Sequence, residues 1–537
     1  QDKSGGLTLD ATNAENHCTI IAITPSPVQQ GVVWVGTDDG NLQLTRDGGK
    51  IWENLAERLP DCPKNAWIPQ IEVSAKNAGE AFVVVNDYRR NDWQPYLYHT
   101  TDFGKKWKRL ANEKNVSGFC LSVVQDPEVP QLLFLGTDQG LFFSIDYGEN
   151  WTHWPNETFP SVPVQDMKIQ ARDADLVIGT FGRAIWVMDD IRPLRELAKA
   201  GAGMVRQDFK VFPAGDAVMA QMRSFDGPRF AANATYQGEN EWPSARLTVW
   251  VKPEIVTAVK EKKRKKDEDE DKKKNKEDKN KPAAGNGKPK PEKAIVLIMS
   301  MQGDTIRRFK TDMDTCFNYI WWGFDTKGIR FPSNSEPNRE QLEPGGGPRV
   351  LPGIYKIMVL YGDLKDSTTV RVLSDPRLNE QPADLQARAD AVRDLHKTIE
   401  RATKAYDRLK EAERTMKLVE DQFVNVPDST KKEVMASSKT IRDSMSVIRD
   451  GFMSQKEGKG IQRNPENLQS RLYRALGYIN AGAGAPNAAT QIAIERAKRD
   501  ALQLIDRINA LFDQPWTNYR AKAEALKYSL FKPYDKL

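Results

Sequence analysis

Up to about residue 190, apolar positions come in short runs bounded by Gly, Asp and Asn, the spacing of strands joined by tight turns. From about Gly203 to Leu373 the alternation lengthens. Ala245-Arg-Leu-Thr-Val-Trp-Val251 and Ala294-Ile-Val-Leu-Ile-Met-Ser300 read as a strand pair, followed by Phe317-Asn-Tyr-Ile-Trp-Trp322 and Gly353-Ile-Tyr-Lys-Ile-Met-Val-Leu360. This pattern predicts a β-sandwich of immunoglobulin or fibronectin-like kind. Beyond Asp375-Pro376 the period becomes helical. Leu385, Val392, Leu395, Ile399, Ala402, Tyr406, Leu409, Met416, Val419 and Phe423 fall on one stripe of a long helix. Further stripes predict helices over 432–452, 465–480 and 487–512, with Gly482-Ala-Gly-Ala-Pro486 as a loop, and hence an antiparallel bundle. The expected chain is multidomain, mainly β then α: 1–197, 203–374 and 376–537.

The first segment repeats itself. Gly31-Val-Val-Trp-Val-Gly-Thr-Asp-Asp-Gly40 matches Gln131-Leu-Leu-Phe-Leu-Gly-Thr-Asp-Gln-Gly140, and each is followed by a short strand and a turn ending in Trp. Those turns are Thr45-Arg-Asp-Gly-Gly-Lys-Ile-Trp52 and Ser144-Ile-Asp-Tyr-Gly-Glu-Asn-Trp151, with a third copy at Thr101-Asp-Phe-Gly-Lys-Lys-Trp107. A fourth, Gly179-Thr-Phe-Gly-Arg-Ala-Ile-Trp-Val-Met-Asp189, keeps the strands and loses the turn. A recurrence in the forties with four short strands per unit predicts propeller blades, about four of them. Within each turn Asp47, Asp102 or Asp146 accepts backbone N–H groups, Gly49, Gly104 or Gly148 takes a backbone angle other residues avoid, and Trp52, Trp107 or Trp151 plugs the gap between strands. Their expected role is structural.

In a four-stranded meander the third-to-fourth turns lie on one rim and the second-to-third turns on the other. Candidate contact residues therefore belong to the second set: Asp38 and Asp39; Tyr88, Arg89, Arg90, Asp92 and Trp93, together with Asp87; Asp138 and Gln139; Phe181 and Arg183. The loop Asn86-Asp-Tyr-Arg-Arg-Asn-Asp-Trp-Gln-Pro-Tyr96 mixes Arg with aromatics, as binding hot spots do. The plainer alternative is that Gly-Thr-Asp-Asp-Gly and its copies are ordinary turns whose Asp caps its own backbone.

Charge changes the picture only locally. The chain of 537 residues carries +5 overall, but 260–293 alone holds 15 basic and 9 acidic residues, which leaves −1 elsewhere. The basic excess belongs to a solvated, disordered insertion and not to a nucleic-acid-binding face. Cys18, Cys62, Cys120 and Cys316 lack metal or disulfide spacing and read as free thiols, mostly buried; His17, His99, His153 and His396 are scattered. No cofactor or metal is expected, no apolar run is long enough for a transmembrane helix, and no nucleophile elbow, zinc or phosphate-loop motif occurs. A glycoside hydrolase would need two carboxylates about 5 Å apart for retention or about 6.5–9.5 Å for inversion, and Asp38 or Asp39 with Asp138, two blades apart, is the pair on offer.

Gly36-Thr-Asp-Asp-Gly40, Thr45-Arg-Asp-Gly-Gly49, Pro95-Tyr-Leu-Tyr-His-Thr-Thr-Asp102 and the run from Gly179 to Leu194 resemble the closing blades of large secreted bacterial BNR (Asp-box) repeat proteins. These are often labelled glycosyl hydrolase or sortilin N-terminal-like. The resemblance extends through Pro348-Arg-Val-Leu-Pro-Gly-Ile-Tyr355 and Asp375-Pro-Arg377. It implies an extracytoplasmic recognition or scaffold protein of a bacterial cell envelope, in the periplasm, at the outer membrane or on the surface, without catalysis. Its partner would be a protein or peptide. The alternatives are a polysaccharide hydrolase on the same face and an accessory subunit of an outer-membrane complex docking by its helical tail. Gln1 follows no initiator Met or signal segment and reads as a processed start. The family's greater length implies an N-terminal companion fragment that completes the propeller.

Overall fold

The computed structural model describes residues 17–221, 242–262, 292–335, 341–423, 426–453, 466–482 and 484–526. Most of the charged stretch expected to be a disordered insertion, 263–291, lies outside them. By backbone contacts the chain divides into two units: 1–215 with 247–262 and 314–319, and the remainder.

The first unit opens with three four-stranded antiparallel meanders: β1 to β4 (Ile20–Pro25, Val33–Thr37, Leu42–Thr45, Glu53–Asn54), β5 to β8 (Trp67–Val73, Ala81–Asp87, Asp92–Thr100, Lys108–Ala111) and β9 to β12 (Cys120–Gln125, Leu133–Thr137, Gly140–Ser144, Thr152–His153). A fourth sheet has three strands, β13 to β15 (Val164–Gln170, Asp175–Thr180, Ile185–Met188), and the helix α1 (Arg192–Ala200) follows where a fourth strand would run. Each sheet packs on the next, as blades do. Their first strands are joined side by side: Thr24 Oγ1 donates to the Ile71 carbonyl (2.9 Å), the Val123 amide to Gln70 Oε1 (2.5 Å) and Ser122 Oγ to the Val164 carbonyl (2.9 Å).

The repeated glycines explain the close approach. A Cβ at Gly36 would lie 2.7 Å from Ile68 Cγ2, and one at Gly136 would lie 2.6 Å from the Val164 carbonyl oxygen, so only Gly admits the next sheet's first strand. At Gly179, the fourth copy, nothing among the described residues would come nearer to a Cβ than the Asp166 carbonyl oxygen of its own sheet, at 3.5 Å.

Strands β16 (Phe209–Val211), β18 (Ala245–Val251) and β21 (Cys316–Trp322) form a three-stranded sheet. β17 (Ala217–Val218), β19 (Ala294–Met299), β20 (Thr305–Thr311), β22 (Gly353–Tyr361) and β23 (Leu364–Leu373) form a five-stranded one, in the order β17-β23-β22-β19-β20. The expected pairing of 245–251 with 294–300 does not occur. β19 pairs with the adjacent β20 and with β22, whereas β18 pairs with β16 and β21. The alternation in each run was legible, but a partner across a long insertion has no local signature. A further helix, α2, spans 253–262 and so includes the first residues of the charged stretch.

Four helices form the rest of the second unit: α3 (Pro382–Gln422), α4 (Asp428–Phe452), α5 (Leu468–Ala481) and α6 (Ala488–Glu524). One core joins them through Leu395, Ile399, Tyr406, Met416, Met445, Leu472 and Ile508. Asn467 and Asn487 cap α5 and α6 by accepting the amides of Ser470 (2.9 Å) and Thr490 (3.0 Å). α6 continues twelve residues past the expected stop at Phe512, through Pro515. A proline inside a helix costs about 3 kcal/mol. Buried Leu511 and Tyr519, with Trp516 packed between Phe512 and Tyr519, hold both sides of it.

Candidate functional site

The three Ser/Thr-x-Asp-x-Gly-x-x-Trp turns share one hydrogen-bond set. Thr45, Thr100 and Ser144 hydroxyls donate to Asp47, Asp102 and Asp146 (2.9, 3.0 and 2.7 Å) and accept the amides of Gly49, Gly104 and Gly148. The same carboxylates accept amides from Lys50 and Ile51, from Lys106, and from Asn150. Backbone donors therefore hold Asp47 and Asp102 below the usual carboxylate range; the hydroxyls add to the effect. For Asp146, burial pushes upward and the Asn150 and Ser144 bonds outweigh it. Trp52 and Trp107 indoles donate to the carbonyls of Gly49 and Gly104, whereas Trp151 reaches Leu110 on the preceding sheet. All three carboxylates are spent on their own turns.

The opposite rim is not uniform. Asp38 accepts the Thr19 amide (2.7 Å) and Asp138 the Phe119 amide (3.0 Å), while the amides of Asp38 and Asp138 donate back to the carbonyls of Thr19 and Phe119. Each Asp thus clasps the residue that leads into its own sheet's first strand. In the fourth sheet Phe181 keeps the backbone half of the clasp, to the Pro163 carbonyl, and its ring is 72% exposed. Asp39 accepts from the Thr37 hydroxyl (2.5 Å). Burial pushes Asp39 upward, but bonds from Thr37, Asn41 and Cys18 hold it below the usual range; burial raises Asp138 despite the Phe119 amide.

The turn between β6 and β7 is different again. Tyr88, Arg89 and Arg90 form a single 3-10 turn, ended by Asn91 in a left-handed conformation (φ +67°). Arg90 is held by Asp87 (2.7 Å) and the Lys64 carbonyl (2.5 Å), and Asp92 accepts from the Tyr96 hydroxyl (2.8 Å). These bonds fix the loop and leave its aromatics outward. Tyr88 stacks on Phe119 (4.5 Å between ring centres), Trp93 lies 5.7 Å from Phe119, and the Arg89 guanidinium sits over the Trp67 ring. Trp93 is 55% exposed, its indole N–H donating to Asn91.

Of the sequence candidates, the structure gathers Tyr88, Arg89 and Trp93. Asp138 joins them through the backbone of Phe119. Gln139 accepts a bond from Ser161, Arg183 is exposed and its carbonyl accepts from Trp186, and neither touches the cluster among the described residues. Phe119 and Trp67 were missed. Both lie at the start of a first strand, a position the turn-based reading did not consider; aromatics flanking Cys120 and Ala66 were the available signal.

Among the described residues all four cysteines are free, and only Cys120 is fully buried; Cys62 is half-buried and Cys18 and Cys316 are exposed, against the expectation of mostly buried thiols. No cluster of His, Cys, Asp and Glu among the described residues could hold a metal, and no described helix is long and apolar enough to cross a membrane.

No protein-family model matches the chain, and no curated protein does. Solved structures match in part. A GH74 xyloglucanase from Xanthomonas campestris is similar over 32% of this chain and 29% of its own, at 16% identity and a TM-score of 0.28. YCF48 bound to a D1 peptide is similar over 32% of this chain and 51% of its own (17% identity, TM-score 0.25), and YCF48 from Cyanidioschyzon merolae over 32% and 56% (19%, 0.24). The chain spans less than two thirds of each.

Proposed function

We propose that this chain is part of a propeller-type recognition protein of the BNR-repeat, sortilin N-terminal-like kind, acting outside the cytoplasm of a bacterium and binding a protein or peptide without catalysis. The observation that carries this reading is the Tyr88–Trp93–Phe119 cluster, built from two neighbouring sheets, held open by Asp87–Arg90 and Asp92–Tyr96, and flanked by Arg89. An exposed Trp and a half-buried Tyr beside Arg on a rigid base are what peptide-binding hot spots are made of. The extracytoplasmic setting rests on the sequence resemblance alone.

Further blades belong to the same proposal. Ile20, Ile23, Ile185 and Val187 are exposed on the first and last sheets, Ile23 at 65% and Ile185 at 72%. Gly179 keeps the repeated glycine with no strand of a further sheet against it among the described residues. An N-terminal companion or a longer form of the chain would fill both faces.

The test is a peptide library selected on the full chain, with affinities compared for wild type and Trp93→Ala. A loss of tenfold or more, about 1.4 kcal/mol, supports the reading, and unchanged affinity removes it. The rival reading is polysaccharide hydrolysis by carboxylates on the same rim. Glycan hydrolysis abolished by Asp138→Asn would establish it.

A further inference from the structure

The second unit contains a cavity of about 650 Å³, within the usual range for small-molecule sites. Leu385 and Val392 of α3, Ile479 of α5, and Val350 supply carbon to its lining, beside the polar side chains of Gln221, Glu380 and Asn480. Two arginines also line it. Arg388 is paired with Glu380 (2.6 Å) and donates to the Gly482 carbonyl, so its charge is answered. Arg349 is exposed, and among the described residues its guanidinium has no ion-pair or hydrogen-bond partner. Trp242, 78% exposed, stands at the rim.

The walls are set before any ligand arrives. The Met219 amide donates to the Leu373 carbonyl (2.8 Å), the Gln221 amide to Asp375 Oδ2 (2.9 Å), and Arg377 returns a bond to the Gln221 carbonyl (3.0 Å) while gripping Asp375. Arg388 is fixed by two partners. A pocket whose wall segment is tied at both ends of its hydrogen-bonding run resists collapse, so the volume is not a loose packing fault.

We infer that this cavity is a binding site for a small molecule with a flat apolar body and one anionic group, a ring-bearing carboxylate. The body meets the carbon of Leu385, Val392, Ile479 and Val350, with the Trp242 indole available to stack on it. The anion meets the one rim cation that no described carboxylate answers, and a guanidinium receives a carboxylate through two parallel bonds. A neutral ligand would leave Arg349 unused; a dianion would meet Glu380 beside Arg388.

The site is independent of the propeller rim, and its test does not involve that rim. Calorimetric titration of the full chain with 2-naphthoate and with the neutral 2-naphthalenemethanol is expected to give one saturable site, with naphthoate about tenfold tighter. Arg349→Gln should remove that preference and leave the neutral probe's affinity unchanged. Trp242→Ala should weaken both probes, and Ala389→Phe, which fills the cavity, should abolish both. Arg349 and Trp242 are exposed, so their variants should melt as wild type does and remain informative if Ala389→Phe fails to fold. No saturable binding up to about 1 mM, equal affinity for the two probes, or affinities indifferent to Arg349→Gln and Trp242→Ala would each overturn the inference.

Discussion

The two rims of the β array are built from the same repeats and differ in how their side chains are engaged. On one, three turns spend their carboxylates and hydroxyls on their own backbone and differ little. On the other, the Gly-Thr-Asp turns of the first and third sheets still clasp their own strands, but the second sheet's turn has grown and carries Tyr88, Arg89 and Trp93. Sameness along a repeat marks bracing; divergence at one copy marks the place where something other than the fold set the residues. The same contrast separates inner copies from end copies. Gly104 and Gly148 sit against Leu55 and Leu110 of the preceding sheet, whereas Gly49 meets only its own Trp52.

The largest expected effect tests that last contrast. Gly104 has φ +74°, and a Cβ there would stand 2.5 Å from Leu55 Cδ1; Gly104→Ala should cost about 3 kcal/mol and lower Tm accordingly. Gly49 has φ +94° but its nearest neighbour would be 3.7 Å away, so Gly49→Ala should cost about 1 kcal/mol, the backbone strain alone. Thermal melts of the two variants compare them directly. Equal losses would mean that the first turn is covered as the second is, and would break the contrast between end and inner copies.

Next come the two kinds of aspartate, which should respond to pH with opposite signs. Asp102 is held low, chiefly by the Lys106 amide, so the stability it contributes is present above its unfolded value of about 3.9 and is lost as pH falls through the folded value. Asp102→Asn should therefore lower Tm at pH 7 and flatten its decline in acid. Asp138 is raised by burial, so the folded state is disfavoured increasingly as pH rises from about 3.9 through its folded value. Asp138→Asn keeps an acceptor for the Phe119 amide and removes that cost, so Tm at pH 7 should hold or rise, with little change at pH 3. Melting curves at the two pH values decide it; the same sign for both variants contradicts the assignment.

A smaller effect concerns Asp138 as a positioning residue for the aromatic cluster. Asp138→Ala frees the Phe119 backbone and should weaken a peptide selected on the wild type by a fewfold, with about 1 kcal/mol lost in stability. Asp138→Asn should restore the affinity. Rescue by Asn would assign the effect to the acceptor for the Phe119 amide and not to the charge.

The bracing rim was legible in the chain because all its chemistry lies within eight residues: hydroxyl, carboxylate, glycine and indole at fixed spacing, from Thr45 to Trp52 for example. The stripes of α3 to α5 were legible for the same reason. What escaped depends on neighbours distant in sequence. Phe119 completes the cluster from another sheet, β18 and β19 choose partners in different sheets, and α6 passes Pro515 because aromatic packing on both sides outweighs a local penalty. The burial of the thiols likewise follows where each lands: Cys120 begins β9, against which the neighbouring sheets pack, and is buried, whereas Cys316 begins β21 and is exposed.

The most direct measurement compares Trp93→Ala with Trp107→Ala, reading both Tm and affinity for a peptide selected on the wild-type chain. Trp107 donates to the Gly104 carbonyl (3.0 Å) and packs edge-on against buried Trp34, so its loss should cost about 2 kcal/mol of stability while binding at 25 °C is retained. Trp93→Ala should do the reverse, leaving Tm in place and reducing affinity tenfold or more. If Trp93→Ala lowers Tm and spares binding, or Trp107→Ala abolishes binding in a folded protein, the division of labour between the two rims is wrong.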